Sequence, residues 1–200
     1  MNKKGAIELS IGTIVVIVLA MSMLILGLVL IKNIFGGATA TVDVLNDKVM
    51  GAVSSLFSDE GTDVVVKLGS DQTAKITSGT ANFGIAIGAR LSTGDKLAGR
   101  DHLKYKLSLE PATGKNCVSP AVLGPTKTKA LFLTSLDPAL NPFDQYDGSN
   151  AYAKIQLTIP KGTPACTQKV LVDVINSKDN NSPVGGNYFV IEVLKSGIFS

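Results

Sequence analysis

The chain has no tryptophan, one histidine and two cysteines in 200 residues, and aromatics make up only 6% of it. A single histidine, His102, excludes a paired-histidine metal motif and leaves a Ser-His arrangement no choice of partner. No nucleophile, base and orienting group come together elsewhere in the pattern. The residues therefore favour a non-enzymatic protein, with no metal, no cofactor and no small-molecule substrate expected. The formal net charge is +3, from 19 Lys+Arg against 16 Asp+Glu. Three of those lysines but only one glutamate fall within the first 32 residues, so the remainder is close to neutral. A near-neutral chain poor in aromatics has no footprint for nucleic acid, which is set aside as a partner. There is no internal repeat and no low-complexity tract.

What the sequence does have is one long apolar run. From Leu9 to Ile31 there is no charge and no proline. As a helix it would be roughly 34 Å long, against a hydrocarbon core of about 30 Å. A transmembrane helix over 6–33 is the expectation, with membrane lipid around it and residues 1–5 as a cytoplasmic leader. Lys3, Lys4 and the start amine precede the run and only Lys32 follows it closely. The basic excess thus places the N-terminus in the cytoplasm and residues 33–200 outside, a single-pass membrane localisation.

Beyond Lys32 the apolar signal narrows to a stripe. Ile34, Ala38, Val42, Leu45, Val49, Val53 and Leu56 recur at helical spacing, which predicts an amphipathic extension over 34–58. Gly36-Gly37 weakens its junction with the first helix. From Asp63 the period changes to that of strands. Val64–Leu68, Asn82–Gly88, Leu103–Leu109, Ala130–Leu136, Tyr152–Ile159, Gln168–Ile175 and Asn187–Leu194 are the candidates, separated by Gly-, Pro- and Asp-rich turns. The fold class expected is mainly β with a long N-terminal transmembrane α-helix, and an immunoglobulin-like β-sandwich outer domain over 59–200.

Cys117 and Cys166 are read in two ways. Outside the cytoplasm an even count predicts one disulfide, closing a loop of about 50 residues and stabilising by roughly 4 kcal/mol on the chain-entropy account. The other reading is two separate buried thiols. Asp144 and Asp147 put oxygen ligands in one loop, without the alternation or terminal Glu of a calcium loop, so a solvated turn is expected. Asn180-Asn181-Ser182 fits an N-glycosylation acceptor. Gly84 and Gly88 lie inside a strand pattern and let a neighbouring chain approach or mark a bulge. Glu8, at the edge of the apolar helix, sits either at headgroup depth in a first turn that favours negative charge or opposite a new α-amino group at Ala6 of a neighbouring copy, if the chain is cut between Gly5 and Ala6.

Lys3-Lys4-Gly5-Ala6-Ile7, then Ile11-Gly12-Thr13-Ile14-Val15 and the apolar run, resembles the start of archaeal flagellins (archaellins) and archaeal type IV pilin-like proteins. The resemblance covers about the first 35 residues. It implies a prepilin-type peptidase as partner, cutting after Gly5, and a mature chain that begins at Ala6. It implies that the helices of many copies pack into a filament core, a homo-oligomer with β-sandwich domains displayed outside. Three readings stay open. The first is a pilin- or archaellin-like structural subunit. The second is an uncleaved, membrane-anchored surface protein with an immunoglobulin-like binding or adhesion domain. The third is a domain secreted after cleavage near Ala38-Thr39-Ala40.

Overall fold

The computed structural model describes residues 11–36, 47–68, 71–97 and 99–195. Lys3, Lys4, Gly5, Ala6 and Glu8 lie outside the described residues. The chain divides into two compact units, Met1–Ala38 and Thr39–Ser200.

Among the described residues the first unit holds one helix, α1 (Ile11–Gly36). No proline interrupts the run, and beyond the β-branched stretch Thr13–Val18 it is rich in Leu and Met, which lose little freedom in a helix. Among the described residues no helix is long and apolar enough to cross a membrane. This corrects the transmembrane helix expected over 6–33, and with it the membrane half of the fold class and the single-pass localisation. The chain is instead mostly β.

The second unit starts with α2 (Asp47–Glu60), followed by β1 (Val64–Lys67), β2 (Thr73–Thr77), β3 (Phe83–Arg90) and β4 (Leu103–Leu109). A short α3 (Pro125–Lys129) precedes β5 (Asn141–Pro142), β6 (Gln145–Asp147), β7 (Asn150–Leu157), β8 (Cys166–Asn176) and β9 (Ser182–Leu194). The strands form two sheets, in the orders β1-β3-β7-β6 and β2-β9-β8-β4-β5. Neighbours pair antiparallel except β2, which lies parallel to β9. The two sheets share one core, built from inward residues such as Ile85, Ile87 and Ile155 of the first and Leu107, Val172 and Ile191 of the second. Tyr105 and Phe143 meet edge to face in it, with ring centroids 5.2 Å apart.

The alternation of bulky and small residues in β3 has a two-sided cause. Phe83, Ile85 and Ile87 point into the shared core, while Ala86 and Gly88 face the other way, beneath α2. There Val53 and Phe57 pack with Val65, Ala86 and Tyr152 in a second, smaller cluster. Gly88 marks the closest approach. A Cβ at this position would collide with Val53 Cγ1 and stand 3.0 Å from Phe57 Cζ and 3.3 Å from Val65 Cγ2. Of the two readings for this glycine, the structure shows the close approach. Of the amphipathic stripe expected over 34–58, residues 34–36 end α1, 37–46 lie outside the described residues, and 47–58 fall in α2, which stops at Glu60 before Gly61, whose φ of 62° lies in the left-handed region that closes helices.

Two other differences stand out. Ala130–Leu136 is not a strand. Pro125 opens α3 at its first turn, and the following Leu131 and Phe132 are both buried, which breaks alternation and leaves only an isolated bridge from Phe132 to Leu157. β9 outruns β2: the parallel pairing covers only Val190–Leu194, so the upstream half of β9 borders β8 alone within its sheet. In that half the Asn187 side chain donates to Val64 O at 2.8 Å and accepts the Tyr188 N–H at 2.8 Å.

Gly88→Ala is expected to destabilise the second unit by about 1–3 kcal/mol, because Val53 is β-branched and cannot swing aside. Gly51→Ala is the control. It lies inside α2 with no atom within 4 Å of its would-be Cβ, and should stabilise by roughly 0.5–1 kcal/mol. Urea unfolding followed by circular dichroism checks both, and equal effects would refute the close-packing account.

Candidate functional site

Two features have the geometry to act on something outside the chain. The first is α1. Apart from Thr13 and Ser22 its described side chains are apolar, and the large ones are exposed on all sides, from Ile17 at 45% to Met23 at 74%. Ser22, one of its few hydroxyls, is turned inward to its own backbone, donating to Val18 O at 2.6 Å and Leu19 O at 3.1 Å. Nothing lies within 4 Å of a would-be Cβ at Gly27. Such a surface offers no polar chemistry; it can only be covered by other apolar groups.

The second is a cleft of about 490 Å³ in the β unit, between the outer edge of β7 and the 133–145 segment. β6 covers that edge only as far as Tyr152. Farther along, side chains and loop backbone take the place of a strand. Asp144 Oδ2 accepts the Lys154 N–H at 3.0 Å, and Thr134 Oγ1 accepts the Gln156 N–H at 2.9 Å. The backbone N–H of Leu133 donates to Gln156 O at 2.9 Å, and that of Asp144 to Tyr152 O at 2.9 Å. Asp144 and Lys154 supply the lining's one negative and one positive charge, and Asn141, Gln145 and Gln156 supply amides. Asn141 is fixed by donating from Nδ2 to Ser135 O at 2.8 Å.

Tyr105 reaches the cleft from β4, with only 3% of its surface exposed. Burial first, and the Asp144 charge second, push its hydroxyl well above the ordinary tyrosine range. Tyr146, on β6, donates to Arg100 O at 2.9 Å. Its pKa is pushed up to about 12, chiefly by burial.

Beside the cleft, α2 is pinned to the outer face of the first sheet. Buried Tyr152 keeps its hydroxyl partnered by Ser54 Oγ, 2.5 Å away. Arg90 closes the other end. Its Nε pairs with Asp63 Oδ1 at 3.2 Å, its Nη2 donates to Phe57 O at 3.4 Å, and its guanidinium lies 5.1 Å over the Phe57 ring.

The residues singled out in the sequence are scattered. Cys117 and Cys166 form a disulfide, with Cα atoms 5.1 Å apart, at the buried end of β8. Asn180 is exposed in the turn between β8 and β9 with φ 46°, and nearby Ser182 Oγ donates to Asp179 Oδ2 at 2.8 Å. Asp144 belongs to the cleft, whereas Asp147 ends β6 opposite Asn150. Among the described residues no three of His, Cys, Asp and Glu are grouped to hold a metal ion. His102 lies half-buried just ahead of β4. Sequence reading missed Tyr105, Asn141 and the pair Lys154 and Gln156 on β7, three separate stretches of the chain that meet only once the two sheets are assembled.

No protein-family model matches the chain, and no curated protein matches it. Among solved structures it is similar to the YadV chaperone at 11% identity and a TM-score of 0.37, over 70% of this chain and 55% of that one. It is also similar to a family 123 glycoside hydrolase from Clostridium perfringens at 11% identity and a TM-score of 0.34, over 68% of this chain and 28% of that one. The chain thus spans about half of the first structure's length and less of the second's.

The tyrosines give a pH signature. Tyr146 ionises near 10 when unfolded and near 12 when folded, so its contribution is fully present below pH of about 10 and is lost as pH rises through about 12. Tyr105 is raised in the same direction. Stability should therefore fall across this alkaline window, and less steeply in Tyr146→Phe. Denaturant midpoints measured from pH 8 upward check this, and identical slopes would show that Tyr146 is not held as described.

Proposed function

We propose that this protein is a non-enzymatic structural subunit, pilin- or archaellin-like, that assembles with copies of itself through α1. The observation that carries the reading is the helix itself, apolar and exposed on every described face. A helix of this kind is buried in its working state. With a membrane span corrected, the remaining partner of matching chemistry is more of the same helix. Small residues support it: Ala20, Ser22 and the open surface at Gly27 admit close approach of a second backbone.

Cleavage between Gly5 and Ala6 completes the proposal. It removes Lys3 and Lys4 and leaves Glu8 to pair with the Ala6 amine of a neighbouring copy. The compact β unit then decorates the assembly.

Mass spectrometry of the protein taken from its natural cells should give a chain beginning at Ala6. Sedimentation of that mature chain should show large assemblies, and Leu24→Lys in α1 should disperse them without altering the circular dichroism of the β unit. A native chain beginning at Met1 that sediments as a monomer would overturn the reading.

A further inference from the structure

We propose that the cleft between β7 and the 133–145 segment binds a neutral, hydroxyl-rich ligand, one or two sugar units in size. The inference is independent of what α1 does. The volume, about 490 Å³, falls within the range of small-molecule sites, about 300–1,000 Å³.

Charge selects against ionic ligands. The lining carries one carboxylate and one ammonium, Asp144 and Lys154. A phosphate or polyanion needs converging cations, and Arg, its usual partner, is absent from this lining. An extended peptide is disfavoured for a different reason. Strand addition needs open backbone groups, yet on this edge the N–H groups of Lys154 and Gln156 are already donated to Asp144 and Thr134. The carbonyls of Tyr152 and Gln156 are likewise taken, by the N–H groups of Asp144 and Leu133.

What the cleft offers is side-chain chemistry. The amides of Asn141 and Gln156 each present a donor and an acceptor a short distance apart, which is what adjacent hydroxyls on a sugar ring require. Asp144 keeps acceptor capacity, since a carboxylate has about four lone-pair sites and the Lys154 N–H takes one. Leu133, 56% exposed at the rim, supplies an apolar surface for the C–H face of a pyranose.

The test is saturation-transfer NMR on the full chain, a readout on the ligand that tolerates a large assembly. Glucose, galactose, mannose, N-acetylglucosamine and maltose are each offered at about 10 mM, enough to populate a site of millimolar Kd. At least one should take up saturation. Gln156→Ala and Asn141→Ala should each reduce that signal several-fold, and Lys75→Ala, on the exposed face of β2, should leave it unchanged. Gln156→Ala keeps the backbone bonds to the 133–134 segment, so its circular dichroism should match the parent and a lost signal is not unfolding. No saturation of any sugar overturns the proposal. So does saturation that persists in both cleft variants, or a cleft that takes inorganic phosphate in place of every sugar.

Discussion

The β unit is organised by the contact of Val53 and Phe57 with Gly88. A sheet that buries both faces needs large side chains on one side and room on the other, and β3 has both in alternation. Because Gly88 lets α2 come down close to the sheet, the helix brings Tyr152 under cover, and a buried phenol must then find a partner. Ser54 is that partner. The same docking carries the last turn of α2 to Arg90, which spans a carboxylate, a helix carbonyl and an aromatic face at once. Each of these contacts presumes the others, so a side chain at position 88 would loosen all of them together.

Much of this was legible in the sequence where periodicity was clean. Leu103–Leu109 appears in the structure over those same residues, because Leu103, Tyr105 and Leu107 alternate without interruption with Lys and Ser. The strand beginning at Phe83 was visible too, although why its small residues alternate was not, since that depends on a helix arriving from elsewhere in the chain. β2 was missed. Thr73–Thr77 is a short, polar edge strand, and its parallel partner lies more than a hundred residues away. Ala130–Leu136 read as a strand because composition alone cannot tell two consecutive buried residues after a helix from an alternating pair.

The apolar run at the front shows the opposite limit. Its helical character is evident from composition, but composition does not decide what surrounds a helix. An apolar surface suits lipid and protein equally, and among the described residues no helix is long and apolar enough to cross a membrane. The cleft was least legible of all. Of its residues only Asp144 had been singled out, as part of a solvated turn, whereas in the structure that carboxylate closes the edge of β7. Its value lies in position, and position is a property of two sheets and a loop rather than of any short motif.

The overhang of β9 has a consequence for the edge of its sheet. An uncovered strand margin is a template on which a second chain can zip. Here Pro183 has no N–H to offer, and the Asn187 amide occupies the Tyr188 N–H while reaching across to Val64. The margin is thus blunted from within its own sequence. A second strand offered to this margin would find one backbone donor missing and another already engaged, which disfavours its addition there.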